Sequence, residues 1–365
     1  MKIIHLTTCR ELSSGQRKQL IYENEASKGF PDTEWKTLAY HNSSCLNKFE
    51  RRVPFLCRAI FIRNIYFWVV AISLSRKCDY LLHRHINFDP FSVFFSLFIK
   101  NRITVHHSKE IEELKLIRPG VKGRVASIIE SSMAKFALRR NLALLGVTSE
   151  IAKYQLEVRE LNMLWNIYPN GVSYKSINLA NDQREKKQIN VAFICGTFSK
   201  WHGLDRLVDA LNTELVNSLE LKIHLIGNMS SVDKKTKDSV QFSEVYELHG
   251  FLKEEDYKNV IGKCDIGFGS FAMDREGLTE GATLKVRELL AMGFPVISGH
   301  SDVSLPHDFP YYYNVSAINL EEILDYARKM KSISRQGIRS ESRKYIEKRV
   351  AMEKVIKWLD AGFFR

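Results

Sequence analysis

The stretch Cys264–Ser298, CDIGFGSFAMDREGLTEGATLKVRELLAMGFPVIS, decides how the rest of the chain is read. It opens on a short apolar run, Ile266–Phe268, and crosses a polar loop to Thr283. From Leu284 to Met292 the apolar residues recur with helical spacing. Gly293 supplies a helix C-cap and Pro295 prevents continuation, so Pro295–Ser298 starts a new strand. Strand, loop, helix, stop and strand together make one parallel βαβ crossover. Within it Glu280 and Glu288 are separated by seven residues. Were both helical, they would stand roughly 12 Å apart and on different faces, so they are not a paired acid and base. One belongs to the loop and the other to the helix. Two carboxylates so placed can hold hydroxyls at distant points of one elongated ligand. The helix N-terminus between them offers free N–H groups and a positive dipole end to a phosphate. A nucleotide sugar has this layout.

Working outward, short β-branched runs alternate with longer amphipathic segments along the whole chain. Strands are expected at Lys2–Thr7, Trp35–Tyr40, Tyr80–His85, Ile103–His106, Leu142–Thr148 and Trp165–Pro169, with helices at Gly15–Lys28, Pro54–Ser75 and Val121–Arg140. Residues 173–188 are polar and lack apolar periodicity, which reads as a linker. The alternation then restarts with strands at Ile189–Cys195, Leu221–Gly227, Val245–Gly250, Ile266–Phe268 and Pro295–Ser298, a helix at Leu204–Asn212, and one long amphipathic helix at Ser340–Leu359. The expected fold class is α/β, with Rossmann-like domains at 1–172 and 189–339 whose strand ends face each other across a cleft.

The 365 residues carry 54 Lys+Arg against 42 Asp+Glu, a formal charge of +12 that favours polyanionic partners without choosing among phosphates, anionic lipid and nucleic acid. Six scattered cysteines without a CxxC pair argue against zinc and a disulfide framework, and suit a reducing cytoplasm. The opening MKIIHLTTCRELSSG reads as a buried strand and polar loop rather than a signal peptide. The longest apolar run, Val53–Leu74, is interrupted by Arg58, Arg63 and Asn64, so no membrane span is expected.

Glu280 and Glu288 match the E-x7-E motif of retaining GT-B glycosyltransferases of the large family-four type, and LKVRELLAMGFPVI resembles the core around that motif. Asn170-Gly171-Val172 is similar to the family's "PNGV", and Gly196–Leu211, GTFSKWHGLDRLVDAL, to the turn that opens its C-terminal domain. The resemblance implies a GT-B fold and transfer of a sugar from a nucleoside diphosphate donor, with retention and without a metal; no D-x-D sequence occurs to hold one. It implies that Glu288 binds the donor ribose and Glu280, as the catalytic-centre carboxylate, the hydroxyls of the transferred sugar. Amides around Thr283 and Leu284 would face phosphate. At the Gly196 turn the chain departs from the family: Thr197 and Phe198 stand near the usual Arg, and His202 stands where Lys is common. Lys200, His202 and Lys285 remain as alternative phosphate-binding groups. His106 and His107 follow a first-domain strand where family members place a cleft histidine, with His107 preferred. Ser14-Gly15 resembles the loop lining the cleft from the other side. The resemblance also implies that 340–365 returns to the first domain, that no cofactor is needed, and that the acceptor is a glycan or lipid-linked glycan of a bacterial surface-polysaccharide pathway.

The segment Arg51–Lys77 allows two readings: an interfacial helix docking on anionic lipid at the inner face of the plasma membrane, or an ordinary Rossmann helix. Its place just before strand Tyr80–His85 favours the second, with a basic outer face. Phe91–Ile99, FSVFFSLFI, is core or an extension of such a lipid-facing patch. Two rival functions remain: a relative of the same fold with other chemistry, such as a sugar-nucleotide epimerase, or a non-catalytic basic scaffold. No nucleic-acid-binding motif is present, so nucleic acid is not an expected partner.

Overall fold

The structure is a computed structural model that describes residues 1–118, 120–185, 187–213, 220–229 and 243–362. The chain forms two compact units, one of Met1–Ser173 joined by the segment from Lys348 onward, the other of Tyr174–Glu347.

The first unit holds β1 (Lys2–Thr8), β2 (Glu34–His41), β3 (Glu50–Arg52), β4 (Tyr80–Arg84), β5 (Arg102–His106), β6 (Ala143–Gly146) and β7 (Trp165–Ile167). They pair in the order β3-β2-β1-β4-β5-β6-β7, all parallel. Alternate residues of each strand serve opposite faces. Ile3, Leu82, Ile103, Val105 and Leu145 meet Ala351, Met352 and Val355 of the last helix. Ile4, Leu6 and Leu81 meet Trp68 and Ala71.

The second unit holds β8 (Ile189–Thr197), β9 (Leu221–Asn228), β10 (Tyr246–Gly250), β11 (Ile266–Phe268), β12 (Glu280–Gly281), β13 (Val296–Ser298), β14 (Ser301–Asp302) and β15 (Tyr312–Asn314). Its main sheet runs β10-β9-β8-β11-β13-β15, again parallel, while β12 and β14 pair separately. Both sheets are doubly wound. Their strand order reverses between β1 and β4 and between β8 and β11, and ligands of such sheets sit beyond the carboxyl ends at that reversal.

Several elements differ from expectation. Strands β3, β12, β14 and β15 have two or three residues each, too few to show alternation. The segment 173–188 is not a loose linker over its described residues. Ile177 is buried, Ala180 N–H donates to Met292 O at 3.0 Å, and Gln183 N–H donates to Gly262 O at 3.0 Å. The tail is two helices, Arg335–Ile346 and Lys348–Asp360, broken where Glu347 turns extended at ψ 131°. The second of them belongs to the first unit. Gly171 admits the break: a Cβ there would lie 2.5 Å from Lys348 Cα.

The helix Ile60–Ser75 does pack on the first sheet, burying Phe67, Trp68 and Ala71. Its outer face is nevertheless apolar rather than basic. Arg63 and Asn64, which interrupt the run in sequence, are turned inward, and Ile60, Phe61, Ile62, Ile65 and Val69 are exposed. Phe91–Ile99 splits: Ser92, Ser96 and Ile99 are buried, whereas Phe94, Leu97 and Phe98 are exposed. Among the described residues no helix is long and apolar enough to cross a membrane.

Candidate functional site

At the carboxyl end of the second sheet, three pieces of chain converge on the β8/β11 reversal. The first is the end of β8. Its pairing with β9 is irregular between Ile194 and Thr197, leaving Gly196 and Thr197 exposed. The glycine this bend needs is Gly227, at φ +128°, where a Cβ would fall 1.6 Å from Cys195 O. Gly196 itself has open space around it.

The second piece is the turn Lys200–His202, closed by Gly203 in the left-handed region. His202 is buried, and its Nδ1 accepts from Ser199 N–H at 2.8 Å. Burial, with Lys285 nearby, pushes its pKa down to about 2. It is therefore a neutral local cap whose proton sits on Nε2, not a phosphate-binding cation. Lys200 is exposed. Two crossed ion pairs, Arg275–Asp205 at 2.5 Å and Arg206–Asp274 at 2.7 Å, join the loop after β11 to the helix Leu204–Thr213.

The third piece is the helix Leu284–Met292. Its N-cap Thr283 makes no side-chain capping bond, and Thr283 Oγ1 is a buried atom without a hydrogen-bond partner. First-turn amides left uncapped in this way can take an anion. Lys285 is half-buried and reaches back to β8: its Nζ donates to Cys195 Sγ at 3.1 Å and lies 5.3 Å from the Phe193 ring centre and 5.4 Å from that of Trp201. Burial lowers its pKa, opposed by Cys195. Glu280 lies in β12 and Glu288 on the helix, both half-buried.

Two features here had no sequence signal. Arg287, inside LKVRELL, is fully buried and donates to Asp302 at 2.6 and 3.0 Å and to Ser304 Oγ at 2.8 Å, which ties the helix to β14 beside β12. His300 is buried, with Nδ1 2.8 Å from Ser298 Oγ. Ser298 Oγ–H donates to Ser270 O at 3.1 Å, so Nδ1 carries the imidazole proton and Nε2 stays a buried acceptor without a partner. Burial lowers the pKa of His300 to about 4. Gly281 is required against this ring: a Cβ would sit 2.4 Å from Cδ2 and 2.6 Å from Nε2. Gly281→Ala is expected to cost about 1–3 kcal/mol of stability through overpacking, measured by denaturant unfolding. His300→Ala should restore most of that loss in the double variant; if it restores none, the steric account is wrong.

In the first unit the adjacent histidines part. His106 is buried in a structural network: Nδ1 is 2.9 Å from Glu110 Oε1, and the ring stacks on His85 at 4.6 Å. His107 instead lines a cavity at the carboxyl ends of β1 and β4 with His5, Thr7, Glu23, Arg84 and Lys348. Glu23 anchors that cavity, accepting from Trp35 Nε1 at 3.1 Å, Thr37 Oγ1 at 2.8 Å and Tyr168 OH at 2.7 Å, and lying 2.8 Å from His5 Nδ1. Burial would raise its pKa, but His5 and Lys348 outweigh burial and hold it well below the usual carboxylate range. Gly15 is exposed in the first turn of Ser14–Ser27, which Ser13 and Gln16 close by a reciprocal capping box. With its start already capped, that helix is a poorer anion site than Leu284–Met292.

No protein-family model and no curated protein matches this chain. Solved structures do match in fold. One is Anabaena HepE in complex with UDP and glucose, at 12% identity and TM-score 0.62, covering 99% of this chain and 100% of that one. Another is a glycosyltransferase from Rickettsia africae, at 13% identity and TM-score 0.66, covering 99% and 98%. A third is the lipopolysaccharide outer core galactosyltransferase WaaB in its apo form, at 12% identity and TM-score 0.62, covering 98% and 100%. At such identities the likeness establishes the architecture, which is GT-B, with two Rossmann-like halves.

Proposed function

We propose that this chain is a glycosyltransferase that moves a sugar from a nucleoside diphosphate-sugar to an acceptor hydroxyl, with retention and without a metal. The observation that carries the reading is the second unit's reversal point, where an uncapped helix start, the Lys285 ammonium and two half-buried carboxylates share one short segment. In this reading Glu288 accepts from the ribose hydroxyls and Glu280 from those of the transferred sugar. The first-turn amides near Thr283 and Leu284, with Lys285, balance charge on the departing diphosphate. Of the cations left open by sequence, Lys285 fits best, because His202 is held neutral. Gly196 and Thr197 supply exposed main chain beside that position, and Lys200 a nearby surface cation. His107 is assigned to the sugar side of the first unit, and His106 to positioning. The UDP and glucose in the Anabaena structure support a nucleotide-sugar ligand for this architecture. A thermal-shift screen against UDP-, GDP- and ADP-sugars tests the reading, since a bound donor raises the melting temperature. No shift with any of them would count against it. Product anomers read by NMR would test retention.

We further propose that the acceptor is met at an anionic membrane surface in a surface-glycan pathway. Exposed Phe55, Leu56, Phe61, Phe94, Phe98 and Ile128 cluster on the first unit. They are connected, since Phe61 stacks edge-on with Phe91 at 6.2 Å, and the helix Ser92–Phe95 packs against Val121–Leu138. Exposed Arg51, Arg52, Lys100, Lys122 and Arg124 lie within the same stretches. Apolar groups rimmed by cations suit an anionic bilayer better than a protein. Changing Phe55, Leu56 and Phe61 to Ser together should cut co-sedimentation with phosphatidylglycerol vesicles at least tenfold, with nucleotide binding unchanged. Unchanged sedimentation would overturn the membrane assignment of this patch.

A further inference from the structure

His224, in the middle of β9, stands on the face of the second sheet opposite the core residues Ile223 and Leu225. Its register partner on the edge strand β10 is Glu247, so a carboxylate lies beside the imidazole. His249 follows two residues on, where the register shifts between Leu248 and Gly250, and it faces no residue of β9. Gly250 stands at this shift with φ +65°, in the left-handed region. A bulge of this kind re-aims a side chain, and here His249 Nε2 comes to 2.9 Å from His224 Nδ1. One nitrogen from each ring and one oxygen of Glu247 all lie within 4.8 Å of one another.

Asn190, on β8, sets the tautomer of the inner ring. His224 Nε2–H donates to Asn190 Oδ1 at 3.1 Å, which leaves the lone pair on Nδ1, the nitrogen towards His249 and Glu247. A metal-ligating imidazole gives its other N–H to an oxygen in the same way. His224 is buried and His249 half-buried, while Glu247 keeps 53% side-chain exposure, so the cluster opens to solvent beside its carboxylate. Lys222, on the same face of β9, is drawn off to Glu244 O at 3.3 Å. Without an ion, neutral His249 donates Nε2–H to His224 Nδ1. Ligation exchanges that hydrogen bond for two metal–nitrogen bonds. The His249 proton passes to Nδ1, 3.9 Å from Glu247 Oε1, and each ring turns so that its lone pair meets the ion. The ring nitrogens then part from 2.9 Å to about 3.3 Å, the separation of neighbouring ligands on tetrahedral zinc at about 2.0–2.1 Å.

We infer that His224, His249 and Glu247 bind a Zn²⁺ ion that ties the edge strand β10 to β9 across the bulge. Two imidazoles and one carboxylate are a ligand set that zinc favours, and it needs no cysteine. Water completes the fourth position from the solvent side. The ion sits at mid-strand rather than at the carboxyl ends where the donor segment lies, so it takes no part in holding a diphosphate. The inference does not rest on the glycosyl-transfer reading.

The test takes the full chain without an affinity tag, strips it with a chelator, and dialyses it against Zn²⁺ at neutral pH with no nucleotide present. A single Zn²⁺ per chain should be retained, and the melting temperature should rise with zinc concentration. Co²⁺ in its place should give the visible absorption of a tetrahedral site. His249→Ala should weaken Zn²⁺ binding at least about tenfold, the loss that even an outer partner of a metal ligand causes. Glu247→Gln changes an exposed side chain, so it should weaken binding and leave the metal-free melting temperature where it is. Cys45→Ser removes the exposed member of a second cluster, His41, Cys45 and Glu50, and should leave binding unchanged. No retained zinc in the unaltered chain would overturn the assignment. So would full affinity in both His249→Ala and Glu247→Gln, or loss of binding in Cys45→Ser. A melting temperature raised as much by Mg²⁺ as by Zn²⁺ would also overturn it, since magnesium takes oxygen ligands and not imidazoles. A separate UDP titration keeps the two readings apart: if UDP does not bind, the donor reading falls and the zinc result stands.

Discussion

Glu288→Ala is expected to weaken nucleoside diphosphate binding by roughly 10- to 100-fold, because a hydrogen bond from a neutral donor to a carboxylate contributes about 1.5–3 kcal/mol. Glu288 lies on the helix Leu284–Met292 and is only half-buried, so its removal leaves the fold intact. The loss should appear in titration with the diphosphate alone, before any sugar is present. Glu280→Ala should behave differently. It should spare binding of the free diphosphate and reduce turnover of the intact nucleotide-sugar, since the proposed role of Glu280 is at the sugar. Equal diphosphate affinity in wild type and Glu288→Ala would remove the ribose assignment, whatever happens to turnover.

The second large effect is on stability. Arg287→Ala would leave Asp302, at 0% side-chain exposure, as a buried carboxylate without its guanidinium. Breaking one side of such a pair costs about 3–5 kcal/mol. Asp302 ends β14, which pairs with β12 through Glu280↔Ser301 and Gly281↔Asp302. The damage should therefore reach Glu280, and donor turnover should fall together with the denaturation midpoint. Replacing both partners, as Arg287→Met with Asp302→Leu, should recover most of the stability, because the uncompensated charge is gone. If the double variant is as unstable as the single one, desolvated charge is not the cause.

The parts of this fold that sequence exposes are those governed by local periodicity. The helix Leu284–Met292 and its Gly293 stop, the long β1 and β8, and the restart of alternation at Ile189 are all visible in runs of adjacent residues. The remaining features depend on distant partners. Arg287 looks like a surface residue of an amphipathic helix until β14 brings Asp302 beneath it. Gly227 looks like the end of a strand until Cys195 O is found where its Cβ would be. Arg63 marks a basic face in the linear pattern, yet the turn of the helix Ile60–Ser75 takes it inward and leaves isoleucines outside. The tail was expected as one helix because Arg335–Ile346 and Lys348–Asp360 are both amphipathic; the break at Glu347 is set by Gly171 and by Lys348 N–H donating to Val172 O at 2.9 Å. At the candidate site, Glu280 and Glu288 stand out through their spacing, whereas His300 is notable only for the unmet hydrogen-bonding capacity of its buried Nε2, which no linear pattern records.

The return of the chain at Lys348 has a consequence for biosynthesis. The first unit contains both ends of the described chain, and the second is an uninterrupted insert, Tyr174–Glu347. On the ribosome the insert is therefore complete before the unit that begins first. At about 5–20 residues per second, roughly 9–35 s separate the synthesis of Ser173 from that of Lys348. Throughout that interval Ile3, Leu82, Ile103, Val105 and Leu145 lack the cover later supplied by Met352, Val355 and Leu359. A nascent chain of this protein thus presents one apolar sheet face to chaperones until the helix Lys348–Asp360 emerges. Removing the chain from Ala351 onward should accordingly damage the unit that begins at Met1.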